Sequence, residues 1–523
     1  MLRLESVVRG RIAPRNGLRF GRGDGSMIQL STLIEKSIGA CELPRDTGSL
    51  VVTGVCEDSR HVSAGSVFVA VAGAKADGAA FVQDALSRGA IAIVAAREAR
   101  VEASCPVIRV ADPREALASL AAVYHGLSAD GGLCTIGVTG TNGKSTVTYM
   151  IRSLLRTAGF RPALLGTIEY DLVGRRVTSS LTTPDAVTLT KHLVEAKQAG
   201  ASHAVMEVSS HSLQQRRVDG INFGVAVFTN LTQDHLDYHG TLEEYRVAKR
   251  RLFDRLSPDT TAIINADDPV GGSMVENCRA RVIRFGIDQP AEVRGKVLGE
   301  DRRGGRFLLH YRDEAVEVRT PLVGRHNISN ALAAASVGLA LGLDLQAIRG
   351  GIESLDRVPG RLERVDTAEL GFDIFVDYAH TDDALRNVLR SLRPLTGGRL
   401  WCVFGCGGDR DRLKRPLMAR AVAEGADAFV ITSDNPRTED PYRILADIER
   451  GLSAEAQGRG VTIPDRARAI QHAIDELNEG DTLVIAGKGH EDYQILATGK
   501  IHFDDGEVAR AALARRGAPA CAR

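Results

Sequence analysis

The most informative stretch of this chain of 523 residues is Gly137-Val138-Thr139-Gly140-Thr141-Asn142-Gly143-Lys144-Ser145-Thr146. It follows an apolar run, residues 133–138, and precedes a helix-like segment, residues 145–158. A strand, a glycine-rich turn and a helix in that order can cradle phosphate, because glycines let backbone N–H groups approach an anion and the helix N-terminus favours negative charge. Lys144 is placed to reach the outer phosphates, and the Ser145 hydroxyl to ligate Mg²⁺. The stretch therefore predicts a binding site for a nucleoside triphosphate.

The spacing of this loop differs from that of the usual P-loop, in which four residues separate the two glycines. Here five residues separate Gly137 from Gly143. A structural turn that carries a surface lysine is the alternative interpretation. The position of Gly-Lys-Ser between a strand and a helix favours the nucleotide site.

Length and composition indicate the number of domains and exclude several classes of partner and site. A chain of this length exceeds one ordinary core, so we expect several domains. Lys+Arg and Asp+Glu each number 66, a balance that points to neither a nucleic-acid nor a membrane-surface partner. No apolar run reaches the roughly 18 residues of a membrane span, and residues 331–345, the longest candidate, predict a buried helix. Eight scattered cysteines without a CxxC pair predict a reduced, cytoplasmic protein rather than a disulfide scaffold or a zinc module.

Short apolar segments alternate with helical patterns along most of the chain, and this alternation predicts α/β structure. We assign residues 27–132 to an N-terminal domain, 133–355 to a central domain and 356–523 to a C-terminal domain, with a linker at 354–360. Residues 1–26 hold six arginines and no lasting periodicity. We interpret them as a disordered tail or as residues upstream of a true start at Met27. Residues 291–323 alternate like antiparallel hairpins, with Gly304-Gly305 as the turn.

The individual elements follow from the same patterns. We predict strands over 66–72, 91–95 and 107–110 in the first region, over 163–167, 203–208, 225–229 and 261–265 in the second, and over 374–378, 400–404, 428–432 and 482–486 in the third. We predict helices over 79–88, 113–125 and 185–198. The third region alternates like a doubly wound sheet, in which ligands bind at the carboxyl ends of the strands.

Two polar segments follow predicted strands of the central region. Glu207 ends one strand, and a carboxylate beside a phosphate loop can hold Mg²⁺, a hard ion that prefers oxygen ligands. An exposed strand-end glutamate is the alternative. Residues 229–240 follow another strand and contain Asp234, His235, Asp237 and His239. This segment indicates a second ion site or a substrate site, or else a polar loop with capping residues.

The loop Gly-Thr-Asn-Gly-Lys-Ser, residues 206–211 and residues 229–240 resemble, in order and spacing, segments of the Mur ligases and of their relative folylpolyglutamate synthase. The resemblance implies ATP-driven amide-bond formation in peptidoglycan precursor synthesis. It also implies a three-domain architecture with an N-terminal UDP-sugar-binding domain, a central P-loop-type ATPase sheet and a C-terminal, doubly wound, Rossmann-like domain that binds the amino acid.

The resemblance further implies catalytic and metal-binding roles. Lys144, Lys249 and His235 would be catalytic, and two Mg²⁺ ions would be held by Ser145, Glu207, His235 and Lys249. Lys249 matches the family lysine that CO₂ carbamylates, a modification that turns a cation into a carboxylate-like metal ligand. From the sequence alone, Lys249 is a lysine on a surface helix.

ATP would contact the central and the third region according to the same resemblance. Its residues would be Gly140, Thr141, Asn142, Gly143, Lys144, Ser145, Thr146, Asn327, Arg361 and Asp377. Because Arg361 and Asp377 belong to the third region, nucleotide binding implies a closure that excludes water from a hydrolysable intermediate.

Two segments resemble those members of the family that add meso-2,6-diaminopimelate. The first is Glu57-Asp58-Ser59-Arg60, which looks like the pocket for the UDP-sugar. By this resemblance UDP-MurNAc-L-Ala-D-Glu would contact Glu57, Ser59, Ala74, Lys75, Ala76, Leu181, Thr182, Thr183, Ser209, Gln215 and Arg217. The second is Ser433-Asp434-Asn435-Pro436-Arg437, which resembles the family's DNPR motif, and the diaminopimelate site would comprise Arg410, Asp434, Asn435, Pro436, Arg437, Gly487 and Glu491.

Arg437 suits the extra carboxylate of diaminopimelate, which lysine lacks. A guanidinium offers a planar fork that binds a carboxylate through two parallel hydrogen bonds, and Pro436 restricts the turn that presents it. Glu491 could meet the distal ammonium. Outside the family context, Asp-Asn-Pro-Arg is an ordinary turn.

The implied reaction has two steps. The γ-carboxylate of D-Glu attacks the γ-phosphate of ATP and forms an acyl phosphate and ADP, and the amine of diaminopimelate then displaces phosphate.

We expect a monomer with these three substrates, and neither nucleic-acid binding nor membrane insertion. A lysine-adding ligase or a folylpolyglutamate synthase is an alternative, against which Asp58-Ser59-Arg60 and residues 434–437 argue. A kinase or a nucleotide-gated binding module would explain residues 140–146 but not the third region.

Overall fold

The computed structural model describes residues 28–39, 43, 47–73, 76–127, 132–367 and 370–517. The tail predicted over residues 1–26 and the predicted site residues Ala74 and Lys75 lie outside this description. The chain forms two compact units, one up to Pro113 and one from Arg114 onward. No helix of the described residues is both long and apolar enough to cross a membrane.

The first unit is built on a parallel sheet of four strands in the order β3-β4-β5-β6. Its elements are β1 (Ile28–Gln29), α1 (Leu30–Ile38), β2 (Val51–Val52), β3 (Gly54–Cys56), β4 (Ser66–Val69), α2 (Val82–Ser87), β5 (Ala92–Ala96) and β6 (Val107–Val110). Strand β1 pairs with β2 in an antiparallel ribbon. Phe68, Val82 and Ile93 are fully or almost fully buried between the sheet and α2, so apolar burial holds this small sheet.

The second unit begins with an eleven-stranded mixed sheet in the order β10-β9-β8-β11-β7-β12-β13-β14-β15-β16-β17. Its elements are α3 (Pro113–Tyr124), β7 (Cys134–Thr139), α4 (Lys144–Thr157), β8 (Pro162–Leu165), β9 (Glu169–Asp171), β10 (Arg176–Thr178), α5 (Ala186–Gln198), β11 (His203–Glu207), α6 (Ser210–Gln214), β12 (Phe223–Phe228), α7 (Leu236–His239), α8 (Leu242–Asp254), β13 (Thr261–Asn265), β14 (Arg281–Gly286), β15 (Val293–Asp301), β16 (Gly304–Tyr311), β17 (Glu314–Thr320), α9 (Arg325–Ala340) and α10 (Leu345–Glu353).

The centre of this sheet is parallel and buried on both faces. Strands β8, β11, β7, β12, β13 and β14 run parallel, and helices cover both sides. This explains why their sequences read as continuous apolar runs instead of alternating. Because parallel strands end at one edge of a sheet, the loops after β7, β8, β11 and β12 meet there.

A second sheet follows, in the order β18-β19-β23-β20-β21-β22, with only β18 antiparallel to its neighbour. The elements are β18 (Glu363–Val365), β19 (Asp373–Asp377), α11 (Asp382–Leu392), β20 (Leu400–Cys406), α12 (Lys414–Gly425), β21 (Ala428–Ser433), α13 (Pro441–Glu449), α14 (Ala454–Gln457), β22 (Gly460–Thr462), α15 (Arg466–Asp475), β23 (Thr482–Ala486), β24 (Tyr493–Leu496), β25 (Gly499–His502) and α16 (Asp505–Gly517). Separate apolar cores lie on its two faces, which confirms the predicted doubly wound sheet.

Most predicted elements are present with shifted ends. The strands over 107–110, 261–265 and 482–486 have the predicted bounds, and the helix after the phosphate loop spans Lys144–Thr157. The predicted helix over 79–88 starts as a 3₁₀ turn, Gly78–Phe81, and continues as α2. The domain borders at residues 132 and 355 stay predictions.

Two predictions about the central region are wrong in detail. The apolar run 331–345 is not one helix, because α9 ends at Ala340, Gly342 takes φ +83° and α10 starts at Leu345. The hairpin turn lies at Arg302-Arg303, because Gly304 already pairs with Asp301. Gly304 is needed inside the strand: a Cβ there would lie 1.9 Å from the Thr320 carbonyl oxygen.

Candidate functional site

The phosphate loop connects β7 to α4 through two glycines with positive φ. Gly140 has φ +151° and Gly143 has φ +86°, conformations that side chains disfavour. A Cβ on Gly140 would lie 1.9 Å from Thr229 Oγ1, and one on Gly143 would lie 2.5 Å from Asn330 Oδ1. Both glycines are therefore required by the backbone conformation and by the close neighbours.

The segment after β12 supports the loop from one side. The Thr141 N–H donates to the Asn230 carbonyl at 2.8 Å, and the Asn142 N–H donates to Asn230 Oδ1 at 2.9 Å. Thr229 Oγ1 donates to the Asn142 carbonyl at 2.6 Å. These bonds hold the loop in shape, while Ser145 and the neighbouring Thr146 at the start of α4 are buried.

Two lysines converge on the carbonyl groups of this loop. Lys144 Nζ donates to the carbonyls of Gly140 and Thr141 at 3.0 and 2.8 Å, and Lys249 Nζ donates to the Gly140 carbonyl at 2.8 Å. Burial lowers the pKa of Lys144. Burial, and then the charge of Lys144, lower the pKa of Lys249 well below its usual value.

Lys249 is not a surface lysine. It lies on α8 with only 1% of its surface exposed, and its ammonium is 4.3 Å from the centroid of the Tyr245 ring. Within the described ranges, no carboxylate forms an ion pair with it. This burial shows that the surface interpretation is wrong. The one hydrogen-bond acceptor of Lys249 among the described residues is the Gly140 carbonyl, and burying an ammonium with so few partners is costly.

Glu207 ends β11 with 2% of its surface exposed, so an exposed strand-end residue is also the wrong interpretation. The Thr167 N–H donates to Oε1 at 2.9 Å and the Thr167 hydroxyl to Oε2 at 3.0 Å. A Cβ on Gly166 would lie 2.4 Å from Oε1. Each carboxylate oxygen keeps a second lone pair, so Glu207 can still ligate a cation.

His235 lies at the N-terminus of α7 with φ +54°. Its Nε2 is 3.5 Å from Asp234 Oδ2, and 44% of its side chain is exposed. Desolvation by neighbouring groups lowers its pKa, and Asp234 opposes this shift. His239 is buried and contacts Ser210 Oγ at 2.9 Å. In the part of the chain that is described, no three His, Cys, Asp or Glu side chains form a ready metal cluster.

Residues beyond the linker reach the phosphate loop. Arg361 Nη2 donates to Ser145 Oγ at 3.1 Å, and the guanidinium lies 4.7 Å above the Tyr378 ring. Asp377 accepts the N–H groups of Leu362 and Ala379 at 2.7 and 2.8 Å. Burial raises the pKa of Asp377. The structure thus brings Arg361 to the loop, and Asp377 at the end of β19 holds the neighbouring Leu362.

Asn327 makes its bonds within the protein. Its Nδ2 donates to the Val323 carbonyl at 2.7 Å, and its Oδ1 accepts Asn330 Nδ2 at 2.9 Å. Asn330, which was not predicted as a site residue, is the one that approaches Gly143.

The predicted peptide-binding residues of the second unit gather at the end of β11. Thr183 Oγ1 donates to the Glu207 carbonyl at 2.9 Å and accepts the Ser209 N–H at 3.1 Å. Arg217 donates to the Thr183 carbonyl at 2.9 Å and to Gln215 Oε1 at 3.0 Å. Two further predicted residues flank this group: Thr182 shares a 3.0 Å hydroxyl contact with Thr167, and Leu181 is 46% exposed.

Two of the predicted residues of the first unit, Glu57 and Ser59, lie at or next to a short 3₁₀ turn, Ser59–His61. Asp58 accepts the backbone N–H and the guanidinium of Arg60, and the bond from that guanidinium lowers the pKa of Asp58 to about 2. Ser59 is 6% exposed and its hydrogen bond lowers the pKa of Asp84. Glu57 and Ala76 are exposed.

The predicted amino-acid pocket forms where β20, β21 and β23 end. Arg437 has φ +53°, its N–H donates to the Ile495 carbonyl at 3.0 Å, and its Nη1 donates to the Gly408 carbonyl at 2.7 Å. Among the described residues, its Nε and Nη2 have no hydrogen-bond partner. The guanidinium is thus fixed on one side and keeps a two-donor edge available.

Acidic and amide groups complete this pocket. Glu491 Oε2 accepts Asn435 Nδ2 at 3.0 Å, and Asp434 is 7% exposed. Gly487 has φ +119°, and a Cβ there would lie 3.1 Å from Asp434 Oδ2. Pro436 is buried in the same loop, whereas Arg410 is exposed. The structure therefore brings the predicted pocket residues together, and this includes the exposed Arg410, because its Cγ and Arg437 Nη1 lie 3.7 and 2.9 Å from the Cβ position of Gly407.

Sequence reasoning missed Thr167, Asn330 and Lys488. Thr167 holds both oxygens of Glu207, and Lys488 is fully buried among the pocket carboxylates. For Lys488 a signal was present, since a lysine between two glycines after a buried strand is unusual. Thr167 carries no comparable signal, because its role depends on the contact between two strand ends.

Three family models match this chain. "Mur ligase middle domain" matches residues 138–338, "Mur ligase, glutamate ligase domain" matches residues 360–489, and "Mur ligase family, catalytic domain" matches residues 51–125.

Individual relatives match over nearly the full length. The UDP-N-acetylmuramoyl-L-alanyl-D-glutamate–2,6-diaminopimelate ligase of Solibacter usitatus is 44% identical over 482 residues, which cover 91% of this chain and 97% of the relative. The ligase of the same name from Geobacillus kaustophilus is 45% identical over 466 residues, covering 88% and 94%.

Solved structures share the fold. A structure of a UDP-N-acetylmuramoyl-L-alanyl-D-glutamate–2,6-diaminopimelate ligase superposes with a TM-score of 0.68 at 34% identity, covering 94% of this chain and all of the other. The MurF ligase of Thermotoga maritima in complex with ADP superposes with a TM-score of 0.59 at 19% identity, covering 88% and 98%.

Proposed function

This chain belongs to the Mur ligase family, and we propose that it joins meso-2,6-diaminopimelate to UDP-N-acetylmuramoyl-L-alanyl-D-glutamate with hydrolysis of ATP to ADP and phosphate. The three-domain α/β architecture predicted from the sequence is confirmed. The observation that carries the substrate assignment is the pocket in which Arg437 presents a free two-donor edge near Asp434 and Glu491.

ATP would bind with its phosphates on the loop Gly140–Thr146. Lys144 now donates to loop carbonyls, which are weak partners for a cation, and the outer phosphates would attract it away from them. Arg361 already contacts Ser145 at the start of α4. Lys144 and Arg361 would therefore stabilise the negative charge that develops on the transferred phosphoryl group.

The residues around Glu207 fit Mg²⁺. A carboxylate and the Ser145 hydroxyl are hard oxygen donors, and Mg²⁺ is usually bound by one or two carboxylates together with substrate phosphates. When bound, the ion would neutralise phosphate charge and so reduce repulsion between the triphosphate and the attacking carboxylate. Ser145 and Glu207 would hold one ion, and His235 would help to hold a second beside it. Thr167 keeps the Glu207 carboxylate oriented for this role.

Lys249 would act as a carbamate. Lys249 is buried, has no described carboxylate partner and donates to the Gly140 carbonyl at 2.8 Å. Its ammonium would therefore repel the metal ions that must approach the phosphates. Only the neutral amine reacts with CO₂, and the lowered pKa of Lys249 increases the fraction of that form. Carbamylation would replace an uncompensated buried ammonium with an anionic metal ligand.

The first chemical step takes place beside Glu207. Thr183, Ser209 and Arg217 form one hydrogen-bonded group there, and Arg217 carries the positive charge that suits a peptide carboxylate. These residues would hold the dipeptide so that the γ-carboxylate of D-Glu attacks the γ-phosphate in line. The product is an acyl phosphate, in which phosphate is a better leaving group than oxide.

The second step uses the pocket of the C-terminal sheet. The Nε and Nη2 donors of Arg437 would bind the distal carboxylate of diaminopimelate as a fork. Asp434 and Glu491 would face the distal ammonium. The amine at the other end would then attack the acyl carbon and expel phosphate, and its proton would leave to solvent or to the departing phosphate.

Phosphate release from ATP tests this proposal. Release should require both UDP-MurNAc-L-Ala-D-Glu and meso-diaminopimelate, and L-lysine should not replace the latter. Lys144→Ala should abolish turnover, and near-normal activity of that variant would remove the support for the ATP site. A kinase or a binding module would form no amide product. The monomeric state expected above stays a prediction.

A further inference from the structure

Lys488 occupies the centre of the amino-acid pocket without an assigned role. It follows β23 in the turn Gly487-Lys488-Gly489, and its side chain has no exposed surface. Its Nζ lies 3.1 Å from Glu491 Oε2, 3.3 Å from Asn435 Oδ1 and 3.7 Å from Asp434 Oδ1. All three partners belong to the predicted diaminopimelate site.

The charges around Lys488 balance. Asp434 and Glu491 contribute two negative charges, and Lys488 and Arg437 contribute two positive ones. The other buried pair nearby, Arg466 with Asp505 at 2.7 Å, has both side chains fully buried and adds one positive and one negative charge, so it leaves the balance unchanged. Because uncompensated buried charge is expensive, removing Lys488 would leave the two carboxylates without their shared cation.

Lys488 is not positioned to serve as a ligand for the distal carboxylate. Its ammonium is directed at three acceptors of the pocket wall, whereas Arg437 keeps two donors free. Asp434 Oδ1 is buried and accepts no hydrogen bond within the described residues, and Lys488 at 3.7 Å is the cation that faces it. Lys488 therefore affects the substrate indirectly, through the positions and charges of Asp434, Asn435 and Glu491.

We propose that Lys488 is a positioning residue that sets the spacing and net charge of the carboxylate pair Asp434 and Glu491, and thereby matches the pocket to a zwitterionic amino-acid end. This inference rests on the proposed function. The distal end of diaminopimelate carries one carboxylate and one ammonium, so it has no net charge. The distal end of lysine carries the ammonium alone, and a pocket with one less positive charge would suit it better.

Steady-state kinetics of Lys488→Met and Lys488→Arg test the inference. In Lys488→Met, the KM for diaminopimelate should rise by about ten-fold or more, since the variant loses charge-assisted bonds, while the KM for ATP stays unchanged. The ratio of kcat/KM for diaminopimelate to that for L-lysine should fall. Lys488→Arg keeps the charge and should restore most of that ratio. Lys500→Met is the matched control, because Lys500 is exposed and lies 3.5 Å above the neighbouring Tyr493 ring.

The outcomes separate positioning from a structural role and from failure of the proposed function. Wild-type protein that shows no diaminopimelate-dependent phosphate release contradicts the function itself. If the wild type is active, a proportional loss for both amino acids, or an unchanged KM, overturns the inference about Lys488. If Lys488→Met loses its cooperative unfolding transition, Lys488→Gln is the second neutral variant, and unfolding of both would show that Lys488 serves the fold.

Discussion

The substitution Gly166→Ala displaces one carboxylate without altering its chemistry. The added Cβ would lie 2.4 Å from Glu207 Oε1, and ordinary contacts begin at 3.4 Å, so the carboxylate must retreat by 1.0 Å (3.4 − 2.4). Gly166 does not have a positive φ, and alanine strains no backbone there. The two bonds from Thr167 that hold the carboxylate must stretch with it.

A displacement of this size at the proposed metal ligand Glu207 has a calculable effect. A misplacement of about 1 Å can cost on the order of 10²-fold in rate, which corresponds to about 2.7 kcal/mol of activation free energy. We therefore expect the kcat of Gly166→Ala to fall roughly 10²-fold and the Mg²⁺ concentration for half-maximal rate to rise. Its thermal unfolding temperature should change little, because the clash falls on one side chain at the C-terminal end of β11.

The assay is phosphate release at saturating substrates over a Mg²⁺ titration. Gly272→Ala is the control, because no described atom lies within 4 Å of its added Cβ and its φ is not positive. Combining Gly166→Ala with Glu207→Asp shortens the side chain and relieves the clash, so the two effects should be clearly less than additive. A Gly166→Ala variant with the rate and Mg²⁺ dependence of the wild type would refute the assignment of Glu207.

Three further substitutions test other parts of the account. Lys249→Ala should be inactive and partly rescued by short carboxylates in a phosphate-release assay, and absence of any rescue would count against the carbamate. Arg437→Ala should raise the KM for diaminopimelate roughly 10²-fold by removing two charge-assisted bonds and leave the KM for ATP unchanged; an unaltered KM for diaminopimelate would exclude the fork. Asp505→Ala should destabilise the fold by about 3–5 kcal/mol in denaturant unfolding, because it leaves Arg466 buried without its partner, and a loss below about 1 kcal/mol would contradict that reasoning.

The order of elements and the phosphate loop could be predicted because their signals are local. The apolar runs, the glycines at positions 140 and 143, and Gly-Lys-Ser together specify a strand, a turn and a helix, and their bounds are correct to within a few residues. Helix α9 was harder, since the alanine-rich run continues past Ala340 and only the conformation of Gly342 ends it.

The environment of the site residues could not be predicted, because burial depends on distant segments. The sequence predicts Lys249 as a surface lysine because its helix is largely polar. In the structure, the face of α8 that carries Lys249 packs against the phosphate loop. The role of Thr167 arises from a bond to Glu207 forty positions away. Lys488 was not predicted as a site residue, because its partners Asp434 and Asn435 come from another strand end.

The most direct test of the central claim is phosphate release from ATP with UDP-MurNAc-L-Ala-D-Glu as acceptor. The amino acid would be meso-diaminopimelate, L-lysine or none, in otherwise identical reactions. We predict release, with formation of the amide product, only in the presence of diaminopimelate. Release with lysine at a comparable rate would contradict the role of Arg437, and release with neither amino acid would contradict the proposed ligase activity.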